Sequence, residues 1–145
     1  MKRSLLLVTL LVFTFAQLGQ ITINPKTRML EDFYGRSIVL HGVNVVYKVD
    51  PYIPLNETWD SQLSLNEKDI SDLQSWGFNL VRLGVMWEAV ERAPGQYDEE
   101  YLVKINEMIM RLGEKGIYTM VDAHQDVFSR TMCGEGMPAF YAEGT

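Results

Sequence analysis

A chain of 145 residues with 47% hydrophobic and 22% charged content has the size and make-up of one globular unit, not of a disordered segment. Its net charge of −6 and sequence pI near 4.9 speak against a nucleic-acid partner, which calls for a basic surface.

The first residues read as a targeting segment. Lys2 and Arg3 precede an apolar run from Leu5 to Phe15, and small or polar residues follow. This is the order of a secretory signal peptide. Cleavage is expected after Ala16 in Thr14-Phe15-Ala16, which assigns residues 1–16 to the signal and leaves 17–145 as the folded part. An N-terminal membrane anchor is the competing reading, but the apolar run is short of the about 20 residues a span needs. The sequon Asn56-Glu57-Thr58 fits a secreted route and marks Asn56 as a glycosylation acceptor. Cys133 is the only cysteine. It is either the partner of a thiol elsewhere or a buried free thiol.

Ile21-Thr22-Ile23, the turn at Asn24 to Thr27, and Arg28-Met29-Leu30 predict a small hairpin at the bottom of the domain. Asp32 to Arg36 is a second turn. Ile38 to Val46 is apolar on both faces, as expected of a parallel strand covered on both sides. Tyr47 to Leu63 is a long loop at the strand's C-terminal end, where such folds keep function. Ser64 or Asn66 can cap a helix whose first turn holds Glu67 and Asp69. Ile70, Leu73 and Trp76 recur at helical spacing, and Gly77 ends the helix.

Phe78 to Trp87 forms the next strand and its exit, and Pro94-Gly95 marks a turn. Asp98 caps a second helix with a core stripe of Tyr101, Leu102, Ile105, Met108, Ile109 and Leu112. Gly116 ends it and Ile117 opens a third strand. The order is hairpin, β, α, β, α, β, a spacing that predicts βα units with parallel strands. Phe128 to Thr145 reads as the loop after that strand.

Two places carry chemistry. Arg82 lies inside the apolar run Leu80 to Val85, and a buried charge needs a partner. A carboxylate at the mouth of the fold would serve, either as a structural ion pair or at a catalytic centre. The third strand ends in Asp122-Ala123-His124-Gln125-Asp126. Four hydrogen-bonding side chains at one strand end suit the hydroxyls of a sugar. A metal is the competing ligand, but Asp122-Ala123-His124 alone offers too few donors and no second His or Cys cluster supports it. A core-satisfied His124 is a third reading. His41 reads as structural. Trp87, Tyr47, Tyr52 and Trp59 are aromatic faces on which a sugar ring can stack or which pack on one another.

The segments His41-Gly42-Val43-Asn44, Gly77 to Leu83 with Trp87-Glu88, and Val121 to Asp126 together resemble the opening of a glycoside hydrolase family 5 (cellulase-like) barrel. Val45-Val46-Tyr47-Lys48, Pro94-Gly95-Gln96-Tyr97, His124 to Arg130 and Gly134 to Phe140 are similar to the endoglycoceramidases within it. The resemblance implies that residues 17–145 are an N-terminal fragment of a (β/α)8 TIM barrel, an α/β fold, with about three βα units behind an N-terminal hairpin. It implies retaining hydrolysis of a β-glycosidic bond by two glutamates, a nucleophile and an acid/base, about 5 Å apart. In the family these close the fourth and seventh strands, so they are expected beyond Thr145. Glu88, Glu91 and Glu135 are not expected to replace them.

What the resemblance carries over is a supporting shell. Arg82 matches the arginine that stabilises the nucleophile carboxylate. His124 and Asp126 match residues that hold the sugar beside the scissile bond, and Lys48 matches a sugar-contacting lysine of the endoglycoceramidases. The implied substrate is a glycosphingolipid, cut between oligosaccharide and ceramide, with peripheral membrane contact made through that lipid. No metal or organic cofactor is implied. The alternatives are a family 5 enzyme acting on β-glucan or mannan, and a secreted short form that binds sugar or lipid without hydrolysis.

Overall fold

The computed structural model describes residues 18–143. The expected signal peptide lies outside the described residues.

Strands β1 (Thr22–Ile23) and β2 (Leu30–Glu31) form the predicted antiparallel hairpin. The segment entering it reaches the bottom of the sheet, where the Tyr118 hydroxyl donates to the Gly19 carbonyl at 3.0 Å. Strand β3 covers only Gly42–Val45, shorter than the apolar run that suggested it. The cause is local. Ile38 N–H donates back to Leu30 in the hairpin at 2.8 Å. The Asn79 side-chain amide then takes the place of a strand partner, accepting from His41 N–H at 2.8 Å and donating to the Val39 carbonyl at 3.0 Å.

Helix α1 (Glu67–Ser75) begins at Asn66, not Ser64. The Asn66 side chain accepts from the Lys68 and Asp69 amides, and Asp69 answers by accepting from Asn66 N–H at 2.9 Å, a full capping box. Trp76 does not join the core stripe. It is the C-cap residue, is 68% exposed, and lies edge-on to Phe78.

Strand β4 (Leu80–Met86) runs into a one-turn helix α2 (Trp87–Val90) and then a hairpin of β5 (Glu91–Ala93) and β6 (Gln96–Tyr97) around Pro94-Gly95. Sequence reading predicts only the turn here. Helix α3 (Glu99–Glu114) is capped by Asp98, which accepts from Tyr101 N–H at 2.9 Å. Strand β7 (Tyr118–His124) follows, then a single 3-10 turn (Arg130–Met132) and a short helix α4 (Ala139–Ala142).

Strands β3, β4 and β7 lie side by side in that order, all parallel, as a part of a (β/α)8 barrel requires. Successive side chains leave a strand on opposite faces. Val81 and Leu83 of β4 point to the helices, where Ile70 and Leu73 of α1 and Ile105, Met108 and Leu112 of α3 close the core. Burying each such side chain contributes about 1.5–3 kcal/mol. The other face carries Asn44, Arg82 and Asp122. The register pairs Asn44 with Arg82 and Gly84 with Asp122, which brings the polar groups of neighbouring strands together.

Among the described residues no helix is long and apolar enough to cross a membrane.

Candidate functional site

The polar groups gather at the C-terminal ends of the three parallel strands, the end at which barrel enzymes place their active sites. Arg82 Nη2 lies 2.7 Å from Asp122 Oδ2. The same oxygen meets His124 Nδ1 at 2.8 Å. An ionised carboxylate only accepts, so Asp122 selects the tautomer in which Nδ1 carries the proton. In the neutral ring Nε2 is then the acceptor nitrogen. It is buried, has no hydrogen-bond partner among the described residues, and sits 3.4 Å from Asp126 Oδ2. A sugar hydroxyl donating to Nε2 would satisfy it.

Lys48 enters from the loop after β3. Its ammonium is 2.5 Å from Asp126 Oδ2 and 2.5 Å from Glu135 Oε1. Lys48, and after it a hydrogen bond with Glu135, holds the Asp126 carboxyl below its ordinary range. In return Asp126 and then Glu135 push the Lys48 pKa up. The structure therefore brings Lys48, His124 and Asp126 into one cluster, with Arg82 joined to it through Asp122. His41 lies at the other end of the sheet, its ring against Phe78 at 4.6 Å, in a structural role.

The loop after β7 is built to deliver this cluster. Asp126 and Glu135 exchange backbone hydrogen bonds of 3.0 and 2.9 Å, which folds the loop back on itself. Two glycines make this approach close. A Cβ on Gly134 would stand 1.9 Å from the Asp126 carbonyl oxygen, and one on Gly136 would stand 2.4 Å from Gln125 Cβ. Gly136 also has φ +119°, where other residues are strained. Cys133, on the same loop, is a free and exposed thiol, which overturns the buried alternative.

Three glutamates near the mouth are each committed. Glu88 pairs with Arg130 through two hydrogen bonds, 3.1 and 2.9 Å. Glu91, only 3% exposed, accepts from Trp87 Nε1 at 2.8 Å, Gly95 N–H at 2.8 Å and the Tyr141 hydroxyl at 2.9 Å. The amide of Gly95, then Trp87, holds its carboxyl below the usual range. Glu135 is held by Lys48. The aromatics divide in the same way. Trp87 leans on Tyr141 at 5.0 Å and Tyr52 lies under Arg92 at 5.3 Å, while Trp59 is 61% exposed. Asn56 is exposed, as a glycan acceptor must be.

His124, Asp126 and Glu135 bring ligand atoms within 4.8 Å of one another, the donor number of many catalytic zinc sites. The Lys48 ammonium already supplies the positive charge at both carboxylates. Sequence reading missed Glu135 as a member because it reaches the cluster only through the loop's fold. Glu88 and Arg130 were also missed as a pair. Both stand in segments that carry the family resemblance, and that was the available signal.

A family model described as cellulase (glycosyl hydrolase family 5) matches residues 34–143. An endoglycoceramidase of Cyanea nozakii is 43% identical over 118 residues, covering 81% of this chain and 23% of that protein. Endoglycoceramidase I of Rhodococcus hoagii is 40% identical over 122 residues, 84% of this chain and 24% of that protein. Among solved structures, endo-glycoceramidase II from Rhodococcus sp. in a ganglioside GM3 complex superposes with a TM-score of 0.61 at 31% identity, covering 77% of this chain and 26% of that one. The chain spans about a quarter of the length of the curated relatives it matches.

Proposed function

The chain belongs to glycosyl hydrolase family 5, and from that premise we propose that it carries the sugar-holding shell of a retaining β-glycosidase that cleaves glycosphingolipids between oligosaccharide and ceramide. The observation that carries this reading is the Lys48–Asp126–His124 cluster at the strand ends. It combines a cationic donor, an acceptor carboxylate and an imidazole nitrogen that has no hydrogen-bond partner among the described residues. Such a set can receive several hydroxyls of one sugar at once. The similarity to endoglycoceramidases supports the ceramide-linked substrate.

In this reading the sugar displaces part of the Lys48–Asp126 bridge and is gripped by it. Asp122 keeps the His124 ring in its orientation, and Arg82 presents positive charge toward the nucleophile. Fixing the ring this way lowers the barrier by removing orientational freedom before attack. Two further carboxylates perform the cleavage. One forms a covalent glycosyl-enzyme intermediate, and the other protonates the leaving ceramide oxygen and then activates water. Glu88, Glu91 and Glu135 are held by other partners and take neither role. The protein is secreted, is glycosylated at Asn56, and meets membranes through its lipid substrate.

The test is to incubate the full-length protein with a glycosphingolipid, a β-glucan and a mannan in parallel. Release of intact oligosaccharide and ceramide from the first alone supports the proposal. Hydrolysis of β-glucan or mannan alone supports the second reading, a polysaccharide hydrolase, which the cellulase description of the matching family model favours.

A further inference from the structure

We propose that Arg130 is a positioning residue for Lys48, a clamp that fixes the sugar-binding ammonium by holding the three loops at the strand ends together. The inference rests on the sugar-holding role given to Lys48 above. Arg130 stands on the 3-10 turn after β7. Its Nε donates to Glu88 Oε2 at 3.1 Å and its Nη2 to Glu88 Oε1 at 2.9 Å, which ties that turn to α2 in the connection after β4. The same Nη2 also donates to the main-chain carbonyl of Lys48, after β3. Among the described residues this is the hydrogen bond that anchors the main chain at Lys48.

Glu88 is fixed in turn. It accepts from Gly136 N–H at 3.2 Å, and its own amide donates to the Gly136 carbonyl at 2.7 Å. The Tyr52 hydroxyl adds a longer contact of 3.4 Å to Glu88. Lys48 is therefore held at both ends: its backbone by Arg130, and its ammonium by Asp126 and Glu135 at 2.5 Å. A lysine stem has many rotamers, so the backbone anchor decides where the ammonium can reach. A planar guanidinium can meet both carboxylate oxygens of Glu88 and keep a hydrogen for the carbonyl, whereas an ammonium is a point donor without that fork.

Two readouts on the full-length protein test this. The first needs no catalysis: limited acetylation of amines, followed site by site by mass spectrometry. R130Q is expected to raise the labelling rate of Lys48 about fivefold or more, the scale of one charged hydrogen bond lost, with Lys26 and Lys104 unchanged. R130K is expected to restore part of the protection. E88Q is expected to act like R130Q and serves if R130Q folds poorly. Unchanged Lys48 labelling in both R130Q and E88Q would overturn the clamp, whether or not the wild type cleaves any glycosphingolipid. The second readout is a double-mutant cycle on kcat/KM. R130Q is expected to cost about tenfold when Lys48 is present and almost nothing in a K48M background. An equal cost in both backgrounds would make Arg130 a purely structural residue and contradict the proposal. A wild type that cleaves no glycosphingolipid fails the proposed function and leaves the labelling result to decide the clamp.

Discussion

Arg82 Nη2 and Asp122 Oδ2 stand 2.7 Å apart, an ion pair between adjacent parallel strands on the polar face of the sheet. The Arg82 side chain is 36% exposed and that of Asp122 20%, so solvent weakens the pair without removing it. Asp122→Ala is expected to lower stability by about 1 kcal/mol, read as a shift in the urea midpoint at constant slope. It also frees the His124 ring. A fall in kcat/KM of about tenfold or more is expected on that account, beyond anything the stability loss explains.

Lys48→Met keeps the length of the stem and removes the charge that Asp126 and Glu135 share. Two carboxylates are then left facing each other, and the Asp126 pKa should rise as its first cause of depression disappears. The expected result is a loss of about 10- to 100-fold in kcat/KM on an oligosaccharide substrate. A carboxyl titration by NMR should show Asp126 taking up its proton at higher pH than in the wild type.

The bridge also sets a pH window. The Asp126 carboxyl is depressed below 3.8 in the fold. Its contribution is present above the unfolded value and lost as pH falls through the depressed one. Lys48 is raised above 10.5. Its contribution is fully present below the unfolded value and lost as pH rises through the raised one. The stability difference between wild type and Lys48→Met should therefore be flat from about pH 5 to about pH 9 and shrink below about pH 4. Denaturation series at several pH values check this.

Asn66→Ala removes the acceptor for the Lys68 and Asp69 amides at the start of α1. The expected cost is about 1 kcal/mol. Asn66 stands at the same end of the strand–helix units as the site, but among the described residues its side chain bonds only to amides of its own helix, so KM should not change. Thermal melts and steady-state kinetics on the same preparation separate the two effects.

The helices were legible because their signals are local. Asn66 and Asp98 cap them, and the stripe from Tyr101 to Leu112 repeats at helical spacing. The three parallel strands followed from the apolar runs between these helices. The edges were less legible. Ile38 to Leu40 has strand composition, yet the hairpin and the Asn79 side chain claim its hydrogen bonds. Trp76 keeps helical spacing but falls on the cap, where its ring turns to solvent. The site divides in the same manner. His124 and Asp126 follow one strand and could be read directly. Glu135 and the Glu88–Arg130 pair depend on loops that meet only after folding, a relation that no periodicity encodes.

The most direct measurement is a crystal structure of the full-length protein with the sugar moiety of a glycosphingolipid bound. The account predicts sugar hydroxyls within about 3 Å of Lys48 Nζ, an Asp126 carboxylate oxygen and His124 Nε2, with Asp122 still holding Nδ1. A sugar bound elsewhere, with the Lys48–Asp126 bridge closed and Nε2 still without a partner, would contradict it.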